Sequence, residues 1–99
     1  MGIDFLILGS SGIQGKIVAR ALLKRRYKLF LTDLYPDESK VLLRRHKSSK
    51  ATYLDVREIK ATNACIRKIK PKAVINCAEG DYNFQVYQAC LKAKTNVID

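Results

Sequence analysis

The 99-residue sequence has no tryptophan, two prolines and one histidine, His46. Its three cysteines, Cys65, Cys77 and Cys90, are an odd number without CxxC spacing, which excludes a disulfide scaffold and a zinc site. We expect reduced, mostly buried thiols. No apolar run approaches the roughly 18 residues that cross a bilayer, and the chain opens on a strand-like segment rather than a charged leader. These absences predict a soluble, cytoplasmic protein that neither binds a membrane nor holds a metal.

Acidic residues are also scarce, because nine Asp and Glu stand against 19 Lys and Arg, for a formal net charge of +10. The basic runs at 24–26, 44–47 and 67–72 spread this excess along the chain. We interpret them as solvated helix ends, with nucleic-acid binding as the less favoured alternative. No repeat or linker interrupts a sequence that is 47% hydrophobic, so residues 1–99 are predicted to form one domain.

Short apolar segments alternate with segments of helical periodicity, which predicts an α/β fold. The predicted strands cover residues 3–8, 29–32, 51–54, 73–76 and 96–99. The apolar stripe predicted to face the sheet is Ile13, Ile17, Val18, Ala21 and Leu22 in the first helix, and Phe84, Tyr87, Cys90 and Leu91 in the last. Right-handed crossovers predict a doubly wound, Rossmann-like parallel sheet of order 3-2-1-4-5, with helices on both faces.

A glycine-rich loop, Gly9-Ser10-Ser11-Gly12-Ile13-Gln14-Gly15, joins the first strand to the first helix. Glycines permit a tight turn and a close backbone approach, so that N–H groups at the helix start can face a pyrophosphate. Asp33, at the end of the second strand, can accept hydrogen bonds from ribose hydroxyls and repel a 2′-phosphate. The pattern predicts a dinucleotide site that favours NAD over NADP, unless Lys40, Arg44 or Arg45 turns towards a 2′-phosphate.

The ends of the third and fourth strands supply further candidate residues. Asp55 and Val56 are expected near the adenine, and capping of the following helix is an equal alternative for Asp55. Asn76, Cys77 and Ala78 are expected beneath the nicotinamide ribose. Because no basic partner is predicted beside Cys77, we interpret it as a packed or cofactor-lining thiol and not as a nucleophile.

These segments resemble the N-terminal NAD(P)-binding domain of the saccharopine dehydrogenase and lysine dehydrogenase group. The resemblance rests on residues 7–15, Asp33, 53–57, 73–78 and 89–99, and it covers essentially the whole chain. Such proteins are oxidoreductases that pass hydride between NAD(P) and the amino-bearing carbon of lysine-related amino acids. The resemblance implies cofactor binding by Gly9, Gly12, Gly15 and Asp33, with Asn76 and Cys77 near the nicotinamide half.

Two features depart from that family. A proline is common soon after the Asn-Cys segment, whereas this chain has Glu79-Gly80-Asp81, which leaves the substrate open. Family members continue into a substrate-binding domain, and no catalytic residues are identified in this chain. We therefore expect a cofactor-binding domain that is not catalytic alone and that meets a substrate domain, or a second copy, at its fifth strand. The alternative is a regulatory nucleotide sensor similar to the ligand-binding domains of potassium-transport regulators.

Overall fold

The computed structural model describes residues 2–78 and 80–98, so Met1, Glu79 and Asp99 lie outside the described residues. The strands are β1 Phe5–Leu8, β2 Leu29–Asp33, β3 Lys50–Tyr53, β4 Ala73–Asn76 and β5 Asn96–Ile98. The helices are α1 Ile13–Lys24, α2 Asp37–Leu42, α3 Ile59–Ile69 and α4 Asn83–Ala93, and a 3₁₀ turn at Gly80–Tyr82 precedes α4. All strands pair in parallel in the order β3-β2-β1-β4-β5, which confirms the predicted fold class and strand order.

The sheet separates two apolar layers, and its central strand contributes to both. Leu6 and Leu8 of β1 pack in the layer that contains Val86 of α4, whereas Ile7 packs in the layer that contains Ala19 of α1. Leu6, Ile7 and Leu8 are fully buried because strands flank β1 on both sides and helices cover both faces. This explains why β1 is continuously apolar instead of alternating.

The face that α1 turns to the sheet differs from the predicted stripe. Gly15, Ala19 and Leu23 are buried, whereas Ile13 and Ile17 are 83% and 64% exposed. Val18 and Leu22 are partly buried at the margin of the contact. The prediction was therefore right for Val18 and Leu22 and wrong for Ile13, Ile17 and Ala21. The small residues Gly15 and Ala19 face the sheet instead, and they let the helix backbone approach it closely.

The predicted buried face of helix α4 was also wrong for most of its residues. Its buried residues are Val86, Ala89 and Cys90, and of the predicted stripe only Cys90 is among them. Phe84 and Leu91 are 68% and 79% exposed. Both sets of residues recur at helical spacing, so periodicity alone does not distinguish them.

Parallel pairing gives the sheet two chemically different sides. We call the side where all five strands end the carboxyl edge, and the side where all five strands begin the amino edge. At the carboxyl edge, the strand ends meet the helix N-termini, and at the amino edge the strand starts meet the helix C-termini. Helices α1, α3 and α4 are each followed by a residue in left-handed conformation, Arg26, Lys70 and Lys94, with φ of 65°, 49° and 55°. Among the described residues, none of the helices is long and apolar enough to span a bilayer.

Candidate functional site

The glycine loop turns at the carboxyl edge, and at two of its glycines, Gly9 and Gly15, the surrounding backbone leaves no room for a side chain. Gly9 has φ +77°, and a Cβ there would lie 2.8 Å from the backbone nitrogen of Ala78. A Cβ on Gly15 would overlap the carbonyl oxygen of Gly9 and lie 2.8 Å from Ser10 Cα. A Cβ on Gly12 would meet nothing closer than 3.5 Å. Gly9 and Gly15 therefore permit the close packing of strand, loop and helix, whereas Gly12 borders open space.

The start of α1 leaves backbone donors available. Gly12 is the N-cap, no side chain caps the helix, and no acidic residue lies in its first turn. The Lys16 N–H donates to the Gly12 carbonyl at 2.9 Å, so the N–H groups of residues 13–15 lie ahead of the intrahelical hydrogen bonds. These donors and the positive end of the helix dipole favour an anion at this point.

Ser10 anchors the loop instead of facing the cavity described below. It is buried, its hydroxyl donates to the Thr32 carbonyl at 3.2 Å, and it shares a 2.7 Å hydrogen bond with the Ser39 hydroxyl. The loop is thereby attached to both β2 and α2. Ile13 and Gln14 lie on the exposed side of the helix start.

The Asp33 carboxylate joins the glycine loop to the segment that follows β2. One oxygen accepts from the Ser11 N–H at 3.2 Å, and the other accepts from the Tyr35 N–H at 2.8 Å. The Ser11 hydroxyl donates to the Tyr35 carbonyl at 2.8 Å. Because each carboxylate oxygen has a further lone pair, Asp33 can still accept hydrogen bonds from a ligand.

Asp55 is engaged by Arg57. The guanidinium donates from Nε to Oδ1 at 2.9 Å and from Nη2 to Oδ2 at 2.7 Å, and the Arg57 backbone N–H donates to Oδ1 at 3.0 Å. These hydrogen bonds hold the pKa of Asp55 below its usual value. Helix α3 begins at Ile59 with Glu58 as its N-cap, so the interpretation of Asp55 as the helix cap was wrong.

The residues at the end of β4 have two different roles: Asn76 holds the backbone in place, whereas Cys77 and Ala78 line the cavity described below. Asn76 is buried, donates from Nδ2 to Asn83 Oδ1 at 2.7 Å, and accepts from the Ala78 N–H at 3.2 Å. It therefore orients the connection between β4 and α4. Cys77 is half-buried, and its N–H donates to the Leu8 carbonyl at 2.8 Å.

An open cavity of about 710 Å³ lies along the carboxyl edge. The sequence-predicted residues that line it are Gly9, Ser11, Gly12, Asp33, Asp55, Val56, Cys77 and Ala78. The sequence-predicted residues outside its lining are Ser10, Ile13, Gln14, Gly15 and Asn76. Residues that the prediction missed are Leu34, Tyr35, Asp37, Glu38, Leu54, Arg57 and Tyr82. Leu34, Leu54 and Arg57 directly follow or precede predicted residues, and that adjacency was the available signal for these three. Tyr35, Asp37, Glu38 and Tyr82 carried no such signal.

Carboxylates dominate the charge of the cavity wall at the end of β2. Asp33, Asp37 and Glu38 line this part, and Glu38 forms an ion pair with Lys16. Lys40, Arg44 and Arg45 do not line the cavity. A group placed beside Asp33 therefore meets negative charge.

Solved structures share this fold at low sequence identity. Apo saccharopine dehydrogenase (L-Glu forming) from Saccharomyces cerevisiae superposes with a TM-score of 0.74 at 20% identity, over 97% of this chain and 21% of that chain. WbmH from Bordetella bronchiseptica, in complex with NAD⁺, gives 0.78 at 20% identity, over 96% of this chain and 37% of that one. Leucoanthocyanidin reductase from Vitis vinifera, in a complex with NADPH, gives 0.75 at 20% identity, over 94% and 31%.

The sequence itself matches a family model. The model described as saccharopine dehydrogenase NADP binding domain matches residues 5–99. Among curated proteins, no sequence matches. The chain spans about a fifth to two fifths of the length of the solved structures named above.

Proposed function

This chain belongs to the saccharopine dehydrogenase NADP binding domain family, and from that premise we propose that it binds a nicotinamide dinucleotide along its carboxyl edge. The observation that carries the proposal is an anion-binding cradle, by which we mean Gly9, Gly12 and the uncapped N-terminus of α1. Gly9 and Gly12 line the cavity, and the helix N-terminus beside them has no capping side chain. A pyrophosphate fits this arrangement because it takes hydrogen bonds from backbone N–H groups and is stabilised by the helix dipole.

The two halves of the dinucleotide would lie on either side of this cradle. Asp33, Val56 and Arg57 would hold the adenosine half, since β2 and β3 end side by side at the carboxyl edge. Cys77 and Ala78, after β4, would border the nicotinamide half. The cavity volume of about 710 Å³ lies in the range of about 300–1,000 Å³ that is usual for cofactor sites.

We further propose that the site prefers NAD to NADP, although the family is described as NADP-binding. A 2′-phosphate beside Asp33 would also meet Asp37 on the cavity wall, whereas Lys16 balances the charge of Glu38. The cation on that wall, Arg57, already makes paired hydrogen bonds to Asp55. At an effective dielectric constant of 20, one carboxylate about 5 Å from a phosphate charge costs up to about 3 kcal/mol, so carboxylates favour the unphosphorylated ribose.

The reaction we propose is oxidoreduction of a lysine-related amino acid, in which this chain holds the cofactor. A bound nicotinamide dinucleotide supplies hydride transfer. Within the described residues, the cavity lining includes no histidine or lysine, and its carboxylates Asp33 and Asp55 accept hydrogen bonds from Ser11, Tyr35 and Arg57; we assign none of the lining residues to proton transfer. Substrate-binding and proton-transfer groups would therefore come from a further domain or partner, as the 21% coverage of the yeast enzyme also suggests.

Thermal unfolding with NADH and with NADPH tests the cofactor proposal. Ligand at about 100 times its dissociation constant adds about 2.7 kcal/mol, which raises the melting temperature by roughly 10 °C or more in a domain of this size. We expect NADH to give the larger shift. Asp33→Asn removes the charge and leaves one side-chain oxygen for the two backbone donors, Ser11 and Tyr35. The lost hydrogen bond weakens the binding of both cofactors, whereas the lost charge favours NADPH, so the preference for NADH over NADPH should fall at least tenfold.

The matched control is Asp81→Asn, which makes the same chemical change at an exposed residue outside the cavity lining. It should leave the NADH preference unchanged. A larger shift with NADPH in the unmodified protein would contradict the NAD preference alone. No shift with any nicotinamide dinucleotide would contradict the binding function itself.

A further inference from the structure

The fold sorts the charges of this chain between the two edges of the sheet. The described acidic residues at the carboxyl edge are Asp33, Asp37, Glu38, Asp55, Glu58 and Asp81. The basic residues at the amino edge are Lys24, Arg25, Arg26, Lys28, Arg44, Arg45, Lys47, Lys50, Arg67, Lys68, Lys70, Lys72, Lys92 and Lys94. Among the described residues, Asp4 is the acid at this edge, and it pairs with Lys72. The sequence places basic runs far apart, and the parallel topology brings them together.

A cleft of about 520 Å³ opens within this amino edge, between the end of α1 and the connection from α2 to β3. Its cationic lining consists of Lys24, Arg26, Lys28, Arg45 and Lys47, and the exposed Ser48 adds a hydroxyl group. None of the ion pairs found in residues 2–78 and 80–98 engages Lys24, Arg26, Arg45 or Lys47. The cleft therefore keeps an uncompensated positive field.

Helix dipoles account for only part of this charge. The C-terminus of a helix carries the equivalent of about half a negative charge, which one nearby cation balances. Three cations, Lys24, Arg25 and Arg26, stand at the end of α1 alone, and α3 and α4 also end among cations. Most of the positive charge at the amino edge is thus in excess of what the helices need.

Three of the cations already named occupy left-handed backbone positions. The left-handed positions after α1, α3 and α4 are occupied by Arg26, Lys70 and Lys94. Glycine is the usual residue there, and any residue with a Cβ makes the left-handed conformation more costly. All three strained positions at this edge carry a positive charge.

We propose that the amino edge binds the phosphate backbone of a nucleic acid, without reading its sequence. Four inter-strand spacings make the edge about 19 Å wide, enough to meet several phosphates. Tyr27 and His46 are the residues of the cleft lining whose rings could stack on a base, and two rings are too few to stack on a series of bases. A membrane surface is less favoured, because no cluster of exposed apolar side chains accompanies the cations of this cleft.

Two double variants of equal net charge test the proposal. Lys24→Gln with Arg45→Gln removes two cations from the cleft, and Arg20→Gln with Lys60→Gln removes two exposed cations elsewhere. Fluorescence anisotropy would follow a labelled 20-base-pair DNA duplex and a labelled 20-nucleotide single-stranded RNA from 50 to 200 mM salt. Thermal unfolding would verify that each variant is folded.

The cleft variant should bind the duplex at least tenfold more weakly at 50 mM salt. The slope of log affinity against log salt should fall in magnitude by about 1.8, which corresponds to two lost phosphate contacts. The control variant should change affinity less than threefold. Saturating NADH should not compete, because the cleft lies at the opposite edge from the dinucleotide cavity, and this keeps the result separate from the proposed cofactor function.

Several outcomes would overturn the proposal. Equal losses in the two double variants would mean that net charge alone attracts the probes. Binding to vesicles that contain phosphatidylserine in preference to both nucleic acids, with loss in the cleft variant, would assign the edge to a membrane surface. Competition by NADH would mean that the probes occupy the dinucleotide site. Binding of neither the duplex nor the RNA at 50 mM salt would also contradict the proposal.

Discussion

Replacing Gly15 by alanine gives a direct test of the packing between the glycine loop and α1. Gly15 lies in the first turn of α1, where alanine is favoured over glycine by about 0.5–1 kcal/mol on helix propensity alone. The structure predicts the opposite sign. The new methyl group would overlap the Gly9 carbonyl oxygen and approach Ser10 Cα at 2.8 Å.

The size of the effect follows from which atoms are in the way. Both are backbone atoms, so no side chain can rotate to make room, and the start of α1 must shift away from the loop. Overpacking of this kind costs about 1–3 kcal/mol. Because the overlap is with rigid backbone, the cost lies in the upper half of this range, about 2–3 kcal/mol. After the propensity gain of about 0.5–1 kcal/mol is subtracted, we expect a net loss of about 1–2.5 kcal/mol, which lowers the melting temperature by roughly 4–20 °C.

Gly12→Ala is the matched control for this experiment. Gly12 has φ −69°, and a methyl group there would have ordinary contacts, so stability should change by less than about 1 kcal/mol. Circular dichroism during thermal and urea unfolding would measure both variants. A Gly15→Ala protein as stable as the parent, or more stable, would refute the packing argument. A Gly12→Ala protein that is folded but binds NADH weakly would separate the ligand-facing glycine from the structural one.

Three further predictions concern other parts of the chain. Hydrogen bonds from Lys28 and Lys72 lower the pKa of Asp4, so this carboxylate stabilises the fold above about pH 3.9 and loses that effect as the pH falls further. Asp4→Asn should therefore unfold at a lower urea concentration than the parent at pH 7. Between pH 5 and 2, the variant should lose less stability than the parent does. Burial raises the pKa of the Cys65 and Cys90 thiols, so iodoacetamide should modify Cys77 first, and mass spectrometry should find this reaction slowed by NADH. Leu91→Ser should change stability by less than about 0.5 kcal/mol whereas Val86→Ala costs more than about 1 kcal/mol, and the reverse order in urea unfolding would contradict the orientation of α4.

The strand order was accessible from the sequence because it depends on features that are local and strong. The β1 run is apolar throughout, and each later strand is separated from the next by a helical segment. The orientation of the helices was not accessible in the same way. In α4, Phe84 and Leu91 make as regular a stripe as Val86 and Cys90, and only the geometry of the sheet decides which set is buried.

In the candidate site, too, the sequence identified some of the residues and not others. The glycine loop and Asp33 were identifiable because their spacing reflects a turn, a helix start and a strand end. The engagement of Asp55 by Arg57 was not, because capping and ion pairing use the same residue types at nearly the same separation. Tyr82 entered the cavity lining only through the placement of the 3₁₀ turn, for which the sequence carried no distinct signal.

The position of β1 between β2 and β4 has a consequence for synthesis of the chain. On a ribosome, β1 is made first, but its partner β4 is complete only when Asn76 has been added. Until then, a nascent β1-β2-β3 sheet presents an unpaired β1 edge, and Leu6 and Leu8 lack Val86 of α4 as a packing partner. Exposed edges and apolar faces of this kind promote aggregation. Slow translation beyond α3 would lengthen this vulnerable interval, so the yield of folded protein should depend on how quickly the last third of the chain is made.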